Sequence, residues 1–242
     1  AHKLGLRTSA HIESTEGVEV GLKAGVDTIE HGAPLTDELL KLFKKNGLGN
    51  VSSLTCTLSP ALPFAVLSPE KTHSTHVQKV NGRVVYEGVA TATRQALANG
   101  IPVGLGTDSA CPFVTHYDMW REVVYFQRHT GVTPEFALHT ATLKNAQLLG
   151  VANETGSIET GKSADFIVLD VNPLDDLCAL RNVEQVFMAG KPVKYKAKHL
   201  PKIDAELDSI MDGLNNDPFV SEWNIAGEKK SLNPFAKRSA KE

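Results

Sequence analysis

The sequence of 242 residues predicts an α/β chain: the C-terminal half of a (β/α)8 TIM barrel, a portion of a small β-domain, and a helical extension. Three observations predict it. A unit of helix-like segment, glycine, short apolar run and polar end occurs four times in the first 110 residues. The polar residues sit at the C-terminal ends of the apolar runs, where a barrel gathers its chemistry at one mouth. No GxGxxG or GxxxxGK[ST] turn follows any of the runs, as a doubly wound nucleotide-binding sheet would usually require.

The units are read in order. After Gly5 comes "LRTSAH", after Gly25 "VDTIEH", after Gly47 "LGNVSS" and after Gly100 "IPVGLGTD". Each glycine stands where a helix would end in a left-handed residue, which glycine adopts without steric cost. Each run reads as a strand of about six residues, and helical spacing between them predicts helices over 16–24, 36–45 and 83–99. The polar stretch "LSPEKTHSTHVQKVNG" reads as a long loop after the third strand, a surface segment or an active-site lid. Eight barrel units need about 250 residues. With four strands readable, the preceding units are expected outside this chain or from a partner, because a half barrel exposes strand edges.

Helices are predicted over 118–129 and 134–149, the second opening on Thr133 as N-cap with Pro134 in the first turn and ending at Gly150. Turn signals at Gly156, Gly161, Asn172-Pro173 and Gly190 frame β-structure, and the apolar "SADFIVLD" is expected to be a strand buried on both faces. A helix over 203–214 precedes a polar, Lys-rich tail of balanced charge. The expected divisions are 1–150 for the barrel half, 151–196 for the β-portion and 197–242 for the extension.

A formal charge of -3 gives no general attraction to nucleic acid or anionic lipid, so a small-molecule ligand is the expected partner. No apolar run approaches the roughly 18 residues of a membrane helix. Cys56, Cys111 and Cys178 are odd in number and form no CxxC pair, which points away from a disulfide framework and toward a reducing, cytoplasmic setting.

His11 and His31 each fall six residues after their glycine, and Asp108 eight after Gly100. A carboxylate ending a buried strand needs a proton, a cation or a metal to face. Three separate strand ends converging on one rim point to a metal site of His11, His31 and Asp108, imidazole and carboxylate being suitable donors for zinc and similar divalent ions. His73 and His76 are candidate substrate contacts if their loop is a lid, and His116, just past Asp108, could line the mouth. His2, His129, His139 and His199 are expected to face solvent. Gly104 and Gly106 read as close backbone packing, and "DMWREVVYFQ" as core.

The set "SAHIES", "GVDTIEHG", "GLGTDSA", "TLKNAQLLG" and "GSIETGKSADFIVLDVNPL" resembles the C-terminal portion of the amidohydrolase superfamily, in its imidazolonepropionase-like and Xaa-Pro dipeptidase-like branch. The resemblance implies a barrel beside a β-sandwich, with His11 as the fifth-strand metal ligand, His31 as the sixth-strand ligand and Asp108 at strand eight. It also implies a first-strand HxH pair and, in many members, a carboxylated lysine. No HxH occurs here. The implied activity is hydrolysis of a C–N bond in a dipeptide, acyl-amino acid or cyclic amide by metal-activated water. Asp108 serves as base and then acid, and His31 stabilises negative charge. A deaminase of the same superfamily, or a non-catalytic half-barrel acting as an assembly or binding subunit, are the alternatives. A homo-oligomer, or completion by an N-terminal half, is expected.

Overall fold

The computed structural model describes residues 1–194, 197–217 and 219–220. It divides into two compact units, residues 1–114 and those from 115 onward.

In the first unit, four parallel strands pair in the order β1 (Ser9–Ile12), β2 (Thr28–His31), β3 (Ser53–Cys56), β4 (Val103–Leu105). Helix α1 (Thr15–Ala24) joins the first pair, starting on the Ser14 cap and ending at Gly25 with φ 86°. Helix α2 (Asp37–Lys44) starts on Thr36 and buries Leu39 and Phe43. The β3–β4 connection carries α3 (Leu62–Val66), α4 (Pro69–Thr72) and the long α5 (His76–Ala98).

Strand register places Ala10, Ile29, Leu54 and Val103 on one face and His11, Glu30, Thr55 and Gly104 on the other. The first face is the core, where Ile29 and Leu54 are fully buried. A Cβ at Gly21 would lie 2.8 Å from the Ile12 side chain and 3.1 Å from that of Ile29, so α1 packs on this face through that glycine. The second face is polar. Ser9 Oγ donates to Glu30 Oε1 at 2.6 Å, and the Thr28 and Thr55 hydroxyls are 3.4 Å apart.

Four local expectations are corrected here. The strands span three or four residues rather than six, and β3 starts at Ser53 instead of ending there. Asn46 is the cause: its Oδ1 accepts from the backbone N–H groups of Leu48 and Asn50 at 3.0 and 3.1 Å, holding 46–50 in a turn. Gly47 is also not left-handed; Gly49 is, with φ 81°. Gly47 is instead required by close approach, because a Cβ there would sit 1.7 Å from the Lys23 carbonyl oxygen. The expected long loop is largely helical. Thr75 and Gln78 form a capping box, so α5 starts at His76.

In the second unit, α6 (Met119–Thr130) follows Asp118, whose carboxylate accepts from Thr115 Oγ1 at 2.6 Å and Trp120 Nε1 at 3.0 Å. His129, expected in solvent, is fully buried. Its Nδ1 lies 2.6 Å from the Tyr125 carbonyl oxygen, one helical turn earlier. The segment predicted as one helix over 134–149 is α7 (Pro134–His139), a π-helical turn (Thr140–Lys144) and α8 (Asn145–Leu149), closed by Gly150 at φ 80°.

A three-stranded antiparallel sheet follows, in the order β5 (Phe166–Leu169), β6 (Val183–Met188), β7 (Lys191–Pro192). Phe166 stacks on Phe187 at 4.6 Å. The expectation that β5 is buried on both faces is corrected: Ile167 is 44% and Val168 43% exposed. Three short strands lack the apolar layers needed to cover both sides of a sheet. The predicted C-terminal helix is α9 (Pro201–Gly213). Its Asp208 accepts from Arg121 Nη2 and Arg181 Nη2, each at 2.9 Å, and Met211 O accepts from Arg128 at 2.7 Å. Those hydrogen bonds hold the Asp208 carboxyl below its ordinary range although burial opposes the shift. The tail expected beyond 220 lies outside the described residues. No described helix is long and apolar enough to cross a membrane.

The two glycine roles are separable by substitution. Gly47→Ala places a methyl group on the Lys23 carbonyl and is expected to cost about 3 kcal/mol, whereas Gly100→Ala, left-handed in open space, is expected to cost about 1 kcal/mol. Urea denaturation of both variants checks this, and the reverse order contradicts it.

Candidate metal centre

The C-terminal ends of β1, β2 and β4 bring the site together. Register pairs His31 with Ile12, which would send its side chain to the apolar core face. Yet its ring meets that of His11, a residue of the polar face, edge-on with centroids 4.7 Å apart. The backbone reconciles the two: His31 has φ 69°, a left-handed conformation that is costly for a residue with a Cβ and re-aims the imidazole at the strand end. Glu13 lies two residues past His11, so strand alternation brings it to the same side. Donor atoms of His11, Glu13 and His31 all lie within 4.8 Å of one another.

Asp108 comes three residues after β4, also left-handed at φ 55°. Its Oδ2 is 4.0 Å from His31 Nε2, beyond hydrogen-bond range. The same oxygen accepts from Cys111 Sγ at 3.2 Å. Asp108 O also accepts from the Cys111 N–H at 3.3 Å, closing the turn that presents the carboxylate.

The donor set fits a divalent cation. The two imidazoles of His11 and His31 and the carboxylate of Glu13 are nitrogen and oxygen donors of the kind zinc and its neighbours take, with the Asp108 carboxylate beside them. His31 is only 6% exposed. Burial first, then the nearby His11, push its pKa below 6.5, against the opposing pull of Glu13, Asp108 and Glu30. The neutral imidazole, the form that ligates a metal, is thereby favoured. Burial, and then its hydrogen bond to Asp108, push the Cys111 thiol up to about 11, which keeps it a proton donor to the carboxylate.

A cavity of about 370 Å³ opens beside Glu13 and His31. Its wall is largely apolar, from Pro60, Ala61, Phe64, Val77 and Val85, with the amides of Gln78 and Asn81 from α5.

Of the residues singled out in the sequence, His11, His31 and Asp108 are brought together. His73 and His76 are exposed: His73 is the left-handed residue that ends α4, and His76 the first residue of α5. Neither lines the cavity, where the next residues of α5, Val77 and Gln78, do. His116 is exposed on the second unit, its ring centroid 5.4 Å from that of Tyr117. Glu13 was missed; the His-x-Glu spacing at a strand end is the signal that finds it.

The amidohydrolase family profile matches residues 1–193. The chain belongs to that family. Among solved structures, this amidohydrolase is similar to a Bifidobacterium longum protein described as a candidate prolidase. The two share 45% identity, with a TM-score of 0.84, over 87% of this chain and 53% of that one. It is also similar to a Xaa-Pro dipeptidase with methionine bound in its active site, at 29% identity and a TM-score of 0.67, covering 81% of this chain and 46% of that one. The imidazolonepropionase of Streptococcus sanguinis is 27% identical over 203 residues, 80% of this chain and 41% of the relative. The chain thus spans about half the length of the proteins it matches.

The electrostatics of His31 give a pH prediction. Its folded pKa lies below the unfolded value, so the unfolded chain binds more protons in the window between the two, and stability rises with pH there. In the presence of a chelator the contribution is complete above 6.5 and is lost as pH falls through the lowered folded value. Melting curves between about pH 5 and 8 should show this slope, and His31→Gln should flatten it. Equal slopes in both proteins contradict the assignment.

Proposed function

We propose that this amidohydrolase hydrolyses a C–N bond in a small molecule, with peptide or amide bonds of dipeptides and acyl-amino acids first and cyclic amides second. The observation that carries this is the convergence of His11, Glu13, His31 and Asp108 from three strand ends beside one cavity. Residues 1–150 are read as the C-terminal half of a TIM barrel, 151–196 as part of a β-sandwich and 197–242 as an extension. The half-length match to relatives supports completion by further barrel units, whether from preceding residues or from a partner copy. Three thiols suit a cytoplasmic setting.

His11, Glu13 and His31 would hold the cation, zinc first, with Asp108 completing the donors. A bound ion of this kind supplies Lewis acidity toward a carbonyl and makes hydroxide available near pH 7. Asp108 orients the attacking water, accepts its proton as the oxygen adds to the carbonyl carbon, and delivers that proton to the nitrogen as the C–N bond breaks. The left-handed turn and the Cys111 thiol fix the direction of the carboxylate. His31, through the cation it would hold, would favour the negative charge that develops on the carbonyl oxygen.

Asp108→Asn keeps the shape and a carbonyl oxygen but removes the base. In the protein carrying this chain, turnover of a Xaa-Pro dipeptide or acyl-amino acid should fall by about 10²- to 10⁴-fold with bound metal retained. His11→Ala should instead lose metal affinity and regain activity in excess zinc. Near-normal turnover by Asp108→Asn at full metal occupancy would falsify the mechanism.

A further inference from the structure

We propose that the cavity beside His31 is the recognition pocket for an uncharged apolar side group of the substrate, of leucine or phenylalanine type, and that Ala61, Phe64 and Val85 set its size. This rests on the amide-hydrolysis reading, which supplies the scissile bond at the donor cluster. Among the lining residues the ionisable groups are Glu13 and His31, and both belong to that cluster. The remaining wall offers no charge to a substrate group that enters it. Burying an ammonium or a carboxylate without a partner is costly, whereas burying an aliphatic or aromatic group is favourable. At about 370 Å³ the space is near the lower end of the roughly 300–1,000 Å³ typical of ligand pockets, enough for an aliphatic or aromatic group together with the atoms that join it to the scissile bond.

Packing fixes the Phe64 side of the wall before anything binds. A Cβ at Gly82 would lie 2.6 Å from Phe64 Cβ, so this glycine lets α5 close on α3 and hold Phe64 from behind. Phe113 meets the Phe64 ring edge-on, with centroids 6.0 Å apart. A pocket whose walls are set in advance loses little side-chain freedom on binding. Gln78 turns its Oε1 back to the Thr75 N–H at 2.9 Å. Asn81, one turn along α5, presents a neutral amide that can both donate to and accept from a peptide group. The first turn of α5 also borders the cavity, and its N–H groups would favour an anion; a carboxylate side group is therefore the rival occupant.

The test uses calorimetry on the zinc-loaded protein with four probes: the N-acetyl amides of glycine, L-leucine, L-lysine and L-glutamate. The leucine probe is expected to bind about tenfold or more tighter than the lysine and glutamate probes. Ala61→Phe should reduce leucine binding about tenfold and leave the glycine probe nearly unchanged. Val85→Trp, at a part-exposed position, repeats the test if Ala61→Phe melts early. A charged probe binding as tightly as leucine overturns the proposal. So does unaltered leucine binding by a filled variant that melts like the parent, or no binding of any probe. Leucine-selective binding without cleavage of any amide would instead remove the hydrolytic reading and leave the pocket standing.

Discussion

The arrangement of the site depends on one backbone constraint, the left-handed conformation of His31. Strand parity assigns this residue to the core face beside Ile29, where an imidazole would be an uncompensated polar group. The positive φ turns the side chain toward His11 and Glu13 while leaving β2 paired with both neighbours. Strain of this kind persists only where the surroundings over-determine it. Here Gly32, itself at φ 87°, donates to the Ile12 and Glu30 carbonyls at 2.9 and 3.0 Å and locks the turn. Asp108 repeats the device at the end of β4, with Cys111 in the role of clamp.

The two faces of the parallel sheet therefore have different functions. One face is sealed by helices through small contacts such as Gly21, and it fixes the strand positions by burial. The other carries Ser9, His11, Glu30 and Thr55, and the hydrogen bonds Ser9–Glu30 and Thr28–Thr55 tie neighbouring strands together across it. In the second unit the equivalent fixing is electrostatic: Arg121 and Arg181 converge on Asp208 and bind α9 to α6 and to the segment before β6.

Much of this was legible in the sequence because glycine has a specific conformational use. Gly25, Gly100 and Gly150 do end helices in the left-handed region, and His11, His31 and Asp108, at the polar ends of the first, second and fourth apolar runs, do come together. Glycine identity alone was not sufficient at Gly47, where the need is space beside Lys23 rather than positive φ. The start of α5 was hidden because its cap, Thr75 with Gln78, lies in a run of histidine, serine and threonine that composition assigns to a loop. The left-handed turns at His31 and Asp108 had no sequence signal, since neither residue is glycine. That β5 lies open could not be read either, because its apolar residues state a preference for cover and not whether cover is present.

The central claim is that His11 and His31 share one cation. Long-range proton–nitrogen NMR of the histidine rings, recorded with and without one equivalent of zinc, tests it most directly. The account predicts that the ring nitrogens of His11 and His31 shift together while those of His73, His76 and His116 stay in place. Zinc-dependent shifts at the latter three, with His11 and His31 unmoved, would contradict it.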